Sequence, residues 1–167
     1  DDTAVYEMFD MVSDEGRAKY HDFQRKGMYN GYKGLTFWTP NINIFRDPRW
    51  GRGMETYGED PFLTTKMGLA VVKGLQGDGT QKYDKAHACA KHYAVHSGPE
   101  WNRHSYNAEN ISIRDLRETY LPAFKALVTE GKVKEVMCAY NRFEGEPCCS
   151  NKTLLINILK DEWGFDD

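Results

Sequence analysis

The ten residues 46–55 hold the densest set of side chains that could do chemistry, with three arginines, a tryptophan and two carboxylates. An arginine can donate hydrogen bonds to neighbouring hydroxyls of a sugar, and a tryptophan offers an apolar face to a sugar ring. The same composition is typical of a loop that is held by its own Arg–Asp and Arg–Glu pairs. For Arg46 and Arg49 we prefer this second interpretation.

Two shorter polar segments follow later strand-like stretches. Lys91 and His92 can both donate to sugar hydroxyls, although a lone histidine is by default a satisfied core residue. Met137 and Tyr140 can close a ring-shaped pocket, and they can equally be ordinary core residues. The residues alone therefore indicate a rim that suits a polyol, without naming a reaction.

Glycoside hydrolysis needs two carboxyl groups, one as nucleophile and one as acid. Spacing singles out none of the candidates, and Asp60 already has a role as a helix cap. The candidates are Asp47, Glu55, Glu59, Asp60, Glu100 and Glu109. The histidines near Cys89 suggest a metal-dependent hydrolase as another hypothesis, but they have no acidic partner at ligand spacing, so we expect no metal.

The elements that must position these side chains alternate along the chain. Apolar residues at helical spacing, together with caps and breaks, predict helices at residues 3–26, 60–77, 112–128 and 151–163, the third bent at Pro122. Strands are predicted at residues 35–38, 86–93 and 133–139. Residues 94–110 are predicted to be a long polar loop, and residues 144–147 a turn.

Strand, loop and helix in repeated order predict a parallel α/β fold. The loops after the strands are long and polar while the returns are short, which favours a barrel whose site lies at the carboxyl ends of its strands. A doubly wound sheet shares the alternation, but no strand leads into a Gly-x-Gly-x-x-Gly turn. The predicted fold class is therefore α/β, a partial TIM-type (β/α)8 barrel with parallel strands and flanking helices.

The composition excludes two classes of partner. The chain has 167 residues, of which 40% are hydrophobic, and a net charge of −3 at pH 7. This balance is typical of a globular domain and provides no electrostatic basis for binding nucleic acid. No apolar stretch approaches the length that crosses a bilayer. We therefore expect no nucleic-acid partner and no membrane span.

The four cysteines are Cys89, Cys138, Cys148 and Cys149. They form no Cys-x-x-Cys pair, so a zinc site is not expected. A bridge from Cys138 to Cys148 or to Cys149 is geometrically feasible, but free buried thiols are the default interpretation.

Four blocks of sequence resemble the N-terminal domain of glycoside hydrolase family 3, in the order that the family has them. The first is GLTFWTPNINIFRDPRWGRG at residues 34–53, continued by ETYGEDP at 55–61. The others are CAKHY at 89–93, VMCAYN at 136–141 and DEWGF at 161–165. This resemblance covers nearly the whole chain.

The resemblance implies retaining exo-hydrolysis of β-glycosides through a covalent intermediate, with no metal or organic cofactor. Arg52 matches the arginine that holds hydroxyls of the terminal sugar, and Lys91 and His92 match a Lys-His pair of the same subsite. Met137 and Tyr140 match residues that flank the nucleophile. Glu55 is implied to orient Arg52.

The resemblance also implies what lies elsewhere. The family nucleophile belongs to a Ser-Asp motif beyond Trp-Gly-Phe, so Asp166 and Asp167 come too early to match it. The acid/base usually comes from a following domain. We therefore interpret residues 1–167 as a single incomplete domain, an internal fragment of the barrel that has no catalytic residue and is inactive alone. Its expected partners are the remaining barrel, the C-terminal domain, and an oligosaccharide or an aryl or alkyl β-glycoside.

Within the family, residues 40–53 and 100–104 look most like β-xylosidases and β-glucosidases, and we favour β-xylosidase. The segment KHYAVH at 91–96 lacks the Pro-Gly of the N-acetylglucosaminidase branch. Cys138 and Cys149 sit like a cysteine pair of secreted relatives, and the relatives imply a periplasmic or secreted protein. The alternative is a non-catalytic carbohydrate-binding module that uses Trp50 and Trp101 as exposed platforms.

Overall fold

The structure is a computed structural model that describes residues 1–166. Asp167, one of the two aspartates excluded as the nucleophile, lies outside the described residues. Three parallel strands form the main sheet in the order β1 (Thr36–Phe37), β2 (His87–Tyr93) and β4 (Glu135–Cys138). All three coincide with the predicted strands, although each is shorter than its sequence pattern.

The helices begin where the sequence supplies caps. Helix α1 (Asp2–Arg25) is followed by α2 (Pro61–Gln76), whose N-cap Asp60 accepts a hydrogen bond from the Leu63 amide at 2.7 Å. The first amides of a helix have no acceptor within it, and proline has no amide hydrogen. Pro61 at the first helical position therefore leaves one fewer N–H group without a partner. Gly77 ends α2 with a φ of 92°, a backbone angle that favours glycine.

The third predicted helix is interrupted, as the proline within it requires. Helix α3 (Ile113–Asp115) begins at Ser112, whose Oγ accepts from the Asp115 amide at 3.0 Å. A π-helical segment, Leu116–Tyr120, then widens the turn before α4 (Pro122–Thr129). Proline has no amide to donate to the preceding turn, so the regular α-helical ladder cannot continue through it. The C-terminal helix, Thr153–Glu162, also has π-type hydrogen bonding.

A second small sheet was not predicted. Strands β3 (Asn107–Ala108) and β5 (Arg142–Phe143) pair in parallel, and β6 (Glu146–Pro147) pairs antiparallel with β5. The prediction of residues 94–110 as loop is therefore wrong at its end, and the predicted turn at 144–147 is a tight hairpin around Glu144 and Gly145. A strand of two residues is too short to show a polar–apolar alternation, so the sequence pattern did not indicate these strands.

The core lies between the main sheet and the helices. Small residues of β2, including Ala88 and Ala90, are fully buried, which lets α2 and α4 approach the sheet closely. Tyr93, at the end of β2, packs edge-on against Phe124 of α4 and Trp163. Parallel strands covered by helices confirm the predicted α/β class and place the carboxyl ends of β1, β2 and β4 at one edge of the sheet.

The cysteines separate into a bridged pair and two free thiols. Cys138 and Cys149 form a disulfide with their Cα atoms 5.2 Å apart, as the resemblance implied. The default interpretation of four free thiols is therefore wrong for this pair. Cys89 and Cys148 are free and buried, as that interpretation expected, and burial raises the pKa of both thiols to about 11.

Within residues 1–166, none of the helices combines the length and the apolar character that a membrane crossing requires.

Candidate functional site

The predicted sugar-binding residues converge at the carboxyl ends of the main sheet. Lys91 of β2 lies in register beside Met137 of β4, and an isolated bridge pairs Lys91 with Asn41 on its other side. Adjacent positions on neighbouring strands bring their side chains within about 5 Å of one another. Asn41, Lys91 and Met137 therefore form one row across the sheet, and Arg52 reaches this row from the loop after β1.

Arg52 is held in place on two sides. Its Nε donates to Glu55 Oε1 and one terminal nitrogen donates to Glu55 Oε2, both at 2.6 Å. The other terminal nitrogen lies 3.2 Å from His92 Nε2. A guanidinium has five N–H groups, and these three contacts leave two of them for a ligand. Glu55 orients Arg52, as the resemblance implied.

The buried side chain of Asn43 determines the tautomer of His92. The backbone amide of His92 donates to Asn43 Oδ1 at 2.9 Å, and Asn43 Nδ2 donates to the His92 carbonyl at 2.8 Å. These two backbone partners fix which end of the Asn43 amide is oxygen. His92 Nδ1 lies 3.0 Å from that oxygen, so Nδ1 carries the proton. His92 Nε2 is therefore an acceptor, and Arg52 donates to it.

Both histidines of the site are neutral near pH 7. Burial, with smaller contributions from the neighbouring His96, Arg52 and Lys91, lowers the pKa of His92 to about 3. Burial likewise lowers the pKa of His96 to about 4, against the opposing hydrogen bond to Asn141. The two rings lie 4.8 Å apart between centroids. A neutral His92 can accept from Arg52 without charge repulsion, which keeps the guanidinium close to it.

The charges of the site are one paired carboxylate and two cations. Arg52 is the main reason that the pKa of Glu55 falls to about 2, and Glu55 in turn raises the pKa of Arg52. Burial, with the charge of Arg52, lowers the pKa of Lys91. With Glu55 ionised and His92 neutral, the cluster presents hydrogen-bond donors from Arg52 and Lys91. Such donors suit the oxygens of a hydroxylated ligand.

Tyr140 forms the exposed wall of the site. Its side chain is 65% exposed, it follows β4 at the carboxyl end of the strand, and its ring packs edge-on against His104 with 5.0 Å between ring centroids. Met137 is half-buried beside Lys91. The structure therefore brings Arg52, Lys91, His92, Met137 and Tyr140 to one place, and the roles assigned to them from the sequence stay predictions.

The two other arginines of the loop have structural partners. Arg49 pairs with Asp47 at 2.8 Å, as expected for a loop that is held by its own ion pairs. Arg46 differs from that expectation, because it donates to the Tyr106 hydroxyl at 3.0 Å and to Ser97 Oγ at 3.3 Å. Its guanidinium also lies over the rings of Tyr106 and Tyr120.

Several buried residues of the site were not found from the sequence. They are Asn41, Asn43, His96 and Asn141. The polar–apolar alternation of residues 41–45 is a signal for Asn41 and Asn43, since it places both on the side opposite Ile42 and Ile44. His96 Nδ1 contacts Asn141 Oδ1 at 3.1 Å across 45 residues of sequence, and no local pattern encodes that contact.

The rest of the described chain offers a groove and no metal-ligand cluster. Within residues 1–166, no group of three histidine, cysteine, aspartate or glutamate side chains converges as metal ligands would. A groove of about 720 Å³ lies between α1 and residues 31–38. Its lining is mainly apolar and aromatic, whereas the predicted sugar-binding residues lie around Arg52, so we place the functional site there.

Comparison with known proteins covers almost the whole chain. The model of the family described as "Glycosyl hydrolase family 3 N terminal domain" matches residues 24–167. A protein named xylan 1,4-beta-xylosidase from Xylanibacter ruminicola is 57% identical over 164 residues, which are 97% of this chain and 19% of that protein.

Solved structures share the fold over almost the whole chain. A "GH3 exo-beta-xylosidase (XlnD)", solved with a xylobiose aziridine probe, superposes with a TM-score of 0.85 at 38% identity, covering 100% of this chain and 21% of that one. A beta-glucosidase from Listeria innocua superposes with a TM-score of 0.79 at 34% identity, covering 99% of this chain and 21% of that one. The chain thus spans about a fifth of the length of the relatives that it matches.

Proposed function

Because the chain belongs to glycoside hydrolase family 3, we propose that it supplies the sugar-binding part of a retaining, exo-acting β-glycosidase. The substrate would be an oligosaccharide or an aryl or alkyl β-glycoside with a terminal β-D-xylosyl or β-D-glucosyl residue. The observation that carries this proposal is the cluster of Arg52, Glu55, Lys91 and His92 at the carboxyl edge of the sheet. Arg52 and Lys91 would donate to the hydroxyls of the terminal sugar, and His92 would hold Arg52 in place.

We assign the nucleophile and the acid of the reaction to carboxyl groups other than those near Arg52. Both oxygens of Glu55 accept from Arg52, and with a pKa near 2 this carboxyl is ionised and cannot serve as a general acid at neutral pH. Glu100 uses one oxygen for the Gly51 amide and the other for Arg103. A retaining mechanism needs one free carboxylate nucleophile and one carboxylic acid about 5 Å apart. We therefore propose that residues 1–167 alone do not hydrolyse glycosides.

A preference for xylosides is the narrower part of the proposal. It is supported by the names of the relatives, since the 57% identical protein is called a xylan 1,4-beta-xylosidase and the beta-glucosidases stand at 33–34% identity. We therefore propose a terminal β-D-xylosyl residue as the preferred substrate.

The test compares the full-length protein that contains this segment with residues 1–167 alone, on aryl β-D-xyloside and aryl β-D-glucoside. We expect the full-length protein to cleave the xyloside with the higher kcat/KM and the isolated chain to cleave neither. Cleavage by the isolated chain would mean that a carboxylate within it is catalytic. A full-length protein that is inactive on both substrates would overturn the proposed function.

The carbohydrate-binding module is less well supported than the hydrolase. Trp50, one of its two proposed platforms, is only 2% exposed and packs against Phe45 and His96. A buried indole cannot stack on a ligand. Trp101 is 72% exposed, but the guanidinium of Arg49 already lies 5.2 Å from its ring centroid.

We also propose that the protein is exported to the periplasm or secreted. The disulfide between Cys138 and Cys149 supports this, because such bonds persist mainly in oxidising compartments. Fractionation of the source cells, with thiol labelling of each fraction, tests the proposal. Recovery in the cytoplasm with both thiols reduced would contradict it.

A further inference from the structure

The segment 97–106, here called the bridging loop, connects the two walls of the site. It begins in the buried backbone after β2, where Ser97 is held by Arg46, and it ends at Tyr106, whose hydroxyl accepts from the same arginine. Both ends of the loop are thus tied to the loop that carries Arg52. Glu100 lies between these two attachments and points towards Gly51.

One oxygen of Glu100 holds the backbone next to Arg52. The Gly51 amide donates to Glu100 Oε2 at 3.0 Å, and the Glu100 amide donates to the Arg49 carbonyl at 3.2 Å. The approach is close, because a Cβ on residue 51 would lie 2.6 Å from Glu100 Oε2. Glycine at position 51 permits this contact, which attaches the Arg52 wall to the bridging loop.

The other oxygen of Glu100 reaches towards the Tyr140 wall. Arg103 donates to Glu100 Oε1 at 2.6 Å, and Arg103 Nε donates to His104 Nε2 at 3.3 Å. The His104 ring packs edge-on against Tyr140 with 5.0 Å between ring centroids. A continuous chain of contacts therefore runs from Gly51 through Glu100, Arg103 and His104 to Tyr140.

We propose that Glu100 is a positioning residue, which sets the separation of Arg52 and Tyr140 across the sugar-binding site. This inference rests on the proposed function, since it assigns a role in binding the substrate. Both of its oxygens hold groups of the two walls, the Gly51 amide and Arg103, so the role that we propose is in binding and not in bond cleavage. Its negative charge also favours the cationic form of Arg52. Loss of Glu100 should leave the binding groups intact but let the two walls move apart, and misplacement by 1 Å is enough to weaken productive binding strongly.

The test measures kcat and KM of the full-length protein on the better of the two aryl glycosides. Glu100→Ala removes both contacts, and we expect KM to rise about tenfold with a much smaller change in kcat. Glu100→Gln keeps one acceptor oxygen, which can accept from the Gly51 amide or from Arg103 but not from both. We therefore expect its KM to lie between the wild-type value and that of Glu100→Ala. Glu118→Ala is the control, because it removes a comparable Glu–Arg pair, at 2.9 Å, on the exposed face of the third predicted helix.

Thermal unfolding of the same variants separates positioning from a purely structural role. A structural role would lower the melting temperature and the active fraction, and so kcat, while KM stayed at the wild-type value. Wild-type KM in both Glu100 variants, with an active wild-type enzyme, overturns the inference and leaves the proposed function intact. A wild-type enzyme that cleaves neither glycoside overturns both.

A double-mutant cycle tests the continuity of the chain of contacts. If Glu100 acts on Tyr140 through His104, the KM of Glu100→Ala combined with His104→Ala should rise by less than the product of the two single effects. Multiplicative effects would mean that the two residues act independently, which contradicts the proposed link to the Tyr140 wall.

Discussion

At the scale of single residues, the site depends on a relay of hydrogen bonds that ends in Arg52. Asn43 fixes the proton of His92, His92 accepts from Arg52, and Glu55 holds the rest of the guanidinium. Each of these hydrogen bonds restricts the orientation of the side chain that it holds. Two N–H groups of Arg52 consequently point in a direction that is set before any ligand arrives, and less ordering is then required on binding.

Arg52→Lys is the most informative change at this scale. Lysine keeps the charge but cannot form the bidentate contact with Glu55 and also reach His92, so the positioned donors are lost. We expect KM for the aryl glycoside to rise by a factor of about 10 to 100 in the full-length protein. Arg114→Lys, at an exposed helical position, serves as the control and should leave KM unchanged. Equal KM values for Arg52→Lys and wild type would exclude Arg52 from substrate binding.

At the scale of elements, the approach of two helices depends on a small residue. A Cβ on Gly74 of α2 would lie 2.6 Å from the Tyr6 carbonyl oxygen and 2.9 Å from Phe9 Cβ, both on α1. Contacts this short with backbone cannot be relieved by rotating a side chain. The glycine therefore sets how closely α1 and α2 pack over the sheet.

Gly74→Ala should destabilise the protein although alanine is the better helix former. The gain in helix propensity is about 1 kcal/mol, while overpacking against backbone costs about 1–3 kcal/mol. We expect a net loss of roughly 1 kcal/mol in the free energy of unfolding, measured by urea denaturation. The neighbouring exposed change Lys73→Ala should have little effect. A stabilising effect of Gly74→Ala would show that α1 can move away from α2 at no cost.

At the scale of the whole molecule, buried neutral histidines make stability depend on pH. The folded-state pKa values of His92 and His96, about 3 and about 4, lie below the ordinary value of 6.5. The unfolded chain therefore binds more protons than the folded chain between these values, so the free energy of unfolding falls as the pH falls through this window. Glu55, with a pKa near 2, adds a loss in the same direction below about pH 4.5.

Urea denaturation at pH 7, 5.5 and 4.5 tests this dependence. Each histidine should contribute a loss on the order of 2 kcal/mol between pH 7 and 4.5. His96→Asn keeps a donor for Asn141 without a titrating ring, so the slope of stability against pH should become shallower in that variant. A wild-type stability that does not change across this range would contradict the assignment of both histidines as buried and neutral.

The partner of Cys138 could not be chosen from the spacing of the cysteines. Cys148 and Cys149 are adjacent, and both are compatible with a bridge to Cys138 by sequence separation alone. In the folded chain, Cys148 is turned into the core against the Ala94 carbonyl, while Cys149 faces Cys138. The opposite directions of two neighbouring side chains thus decided the pairing.

Much of the fold and the main site residues were predictable because their signals are local. Caps such as Asp60, breaks such as Gly77 and the helical spacing of apolar residues act within a few residues, so the order of helices and main-sheet strands follows from the sequence. The motifs around Arg52 and Lys91 identified the family before any contact was known. Sequence by itself thus determined the fold class, the family and the sugar-binding candidates.

Only the tertiary structure decided how these residues hold one another. Asn43 with His92, His96 with Asn141, and Gly51 with Glu100 are pairs separated by 45 to 49 residues. Each pair joins segments that meet only after the chain has crossed the sheet, at distances of about 3 Å. The burial of Trp50 and the second sheet have the same origin. A periodic pattern specifies which face of an element is covered, but only the folded path of the chain specifies which distant atom covers it.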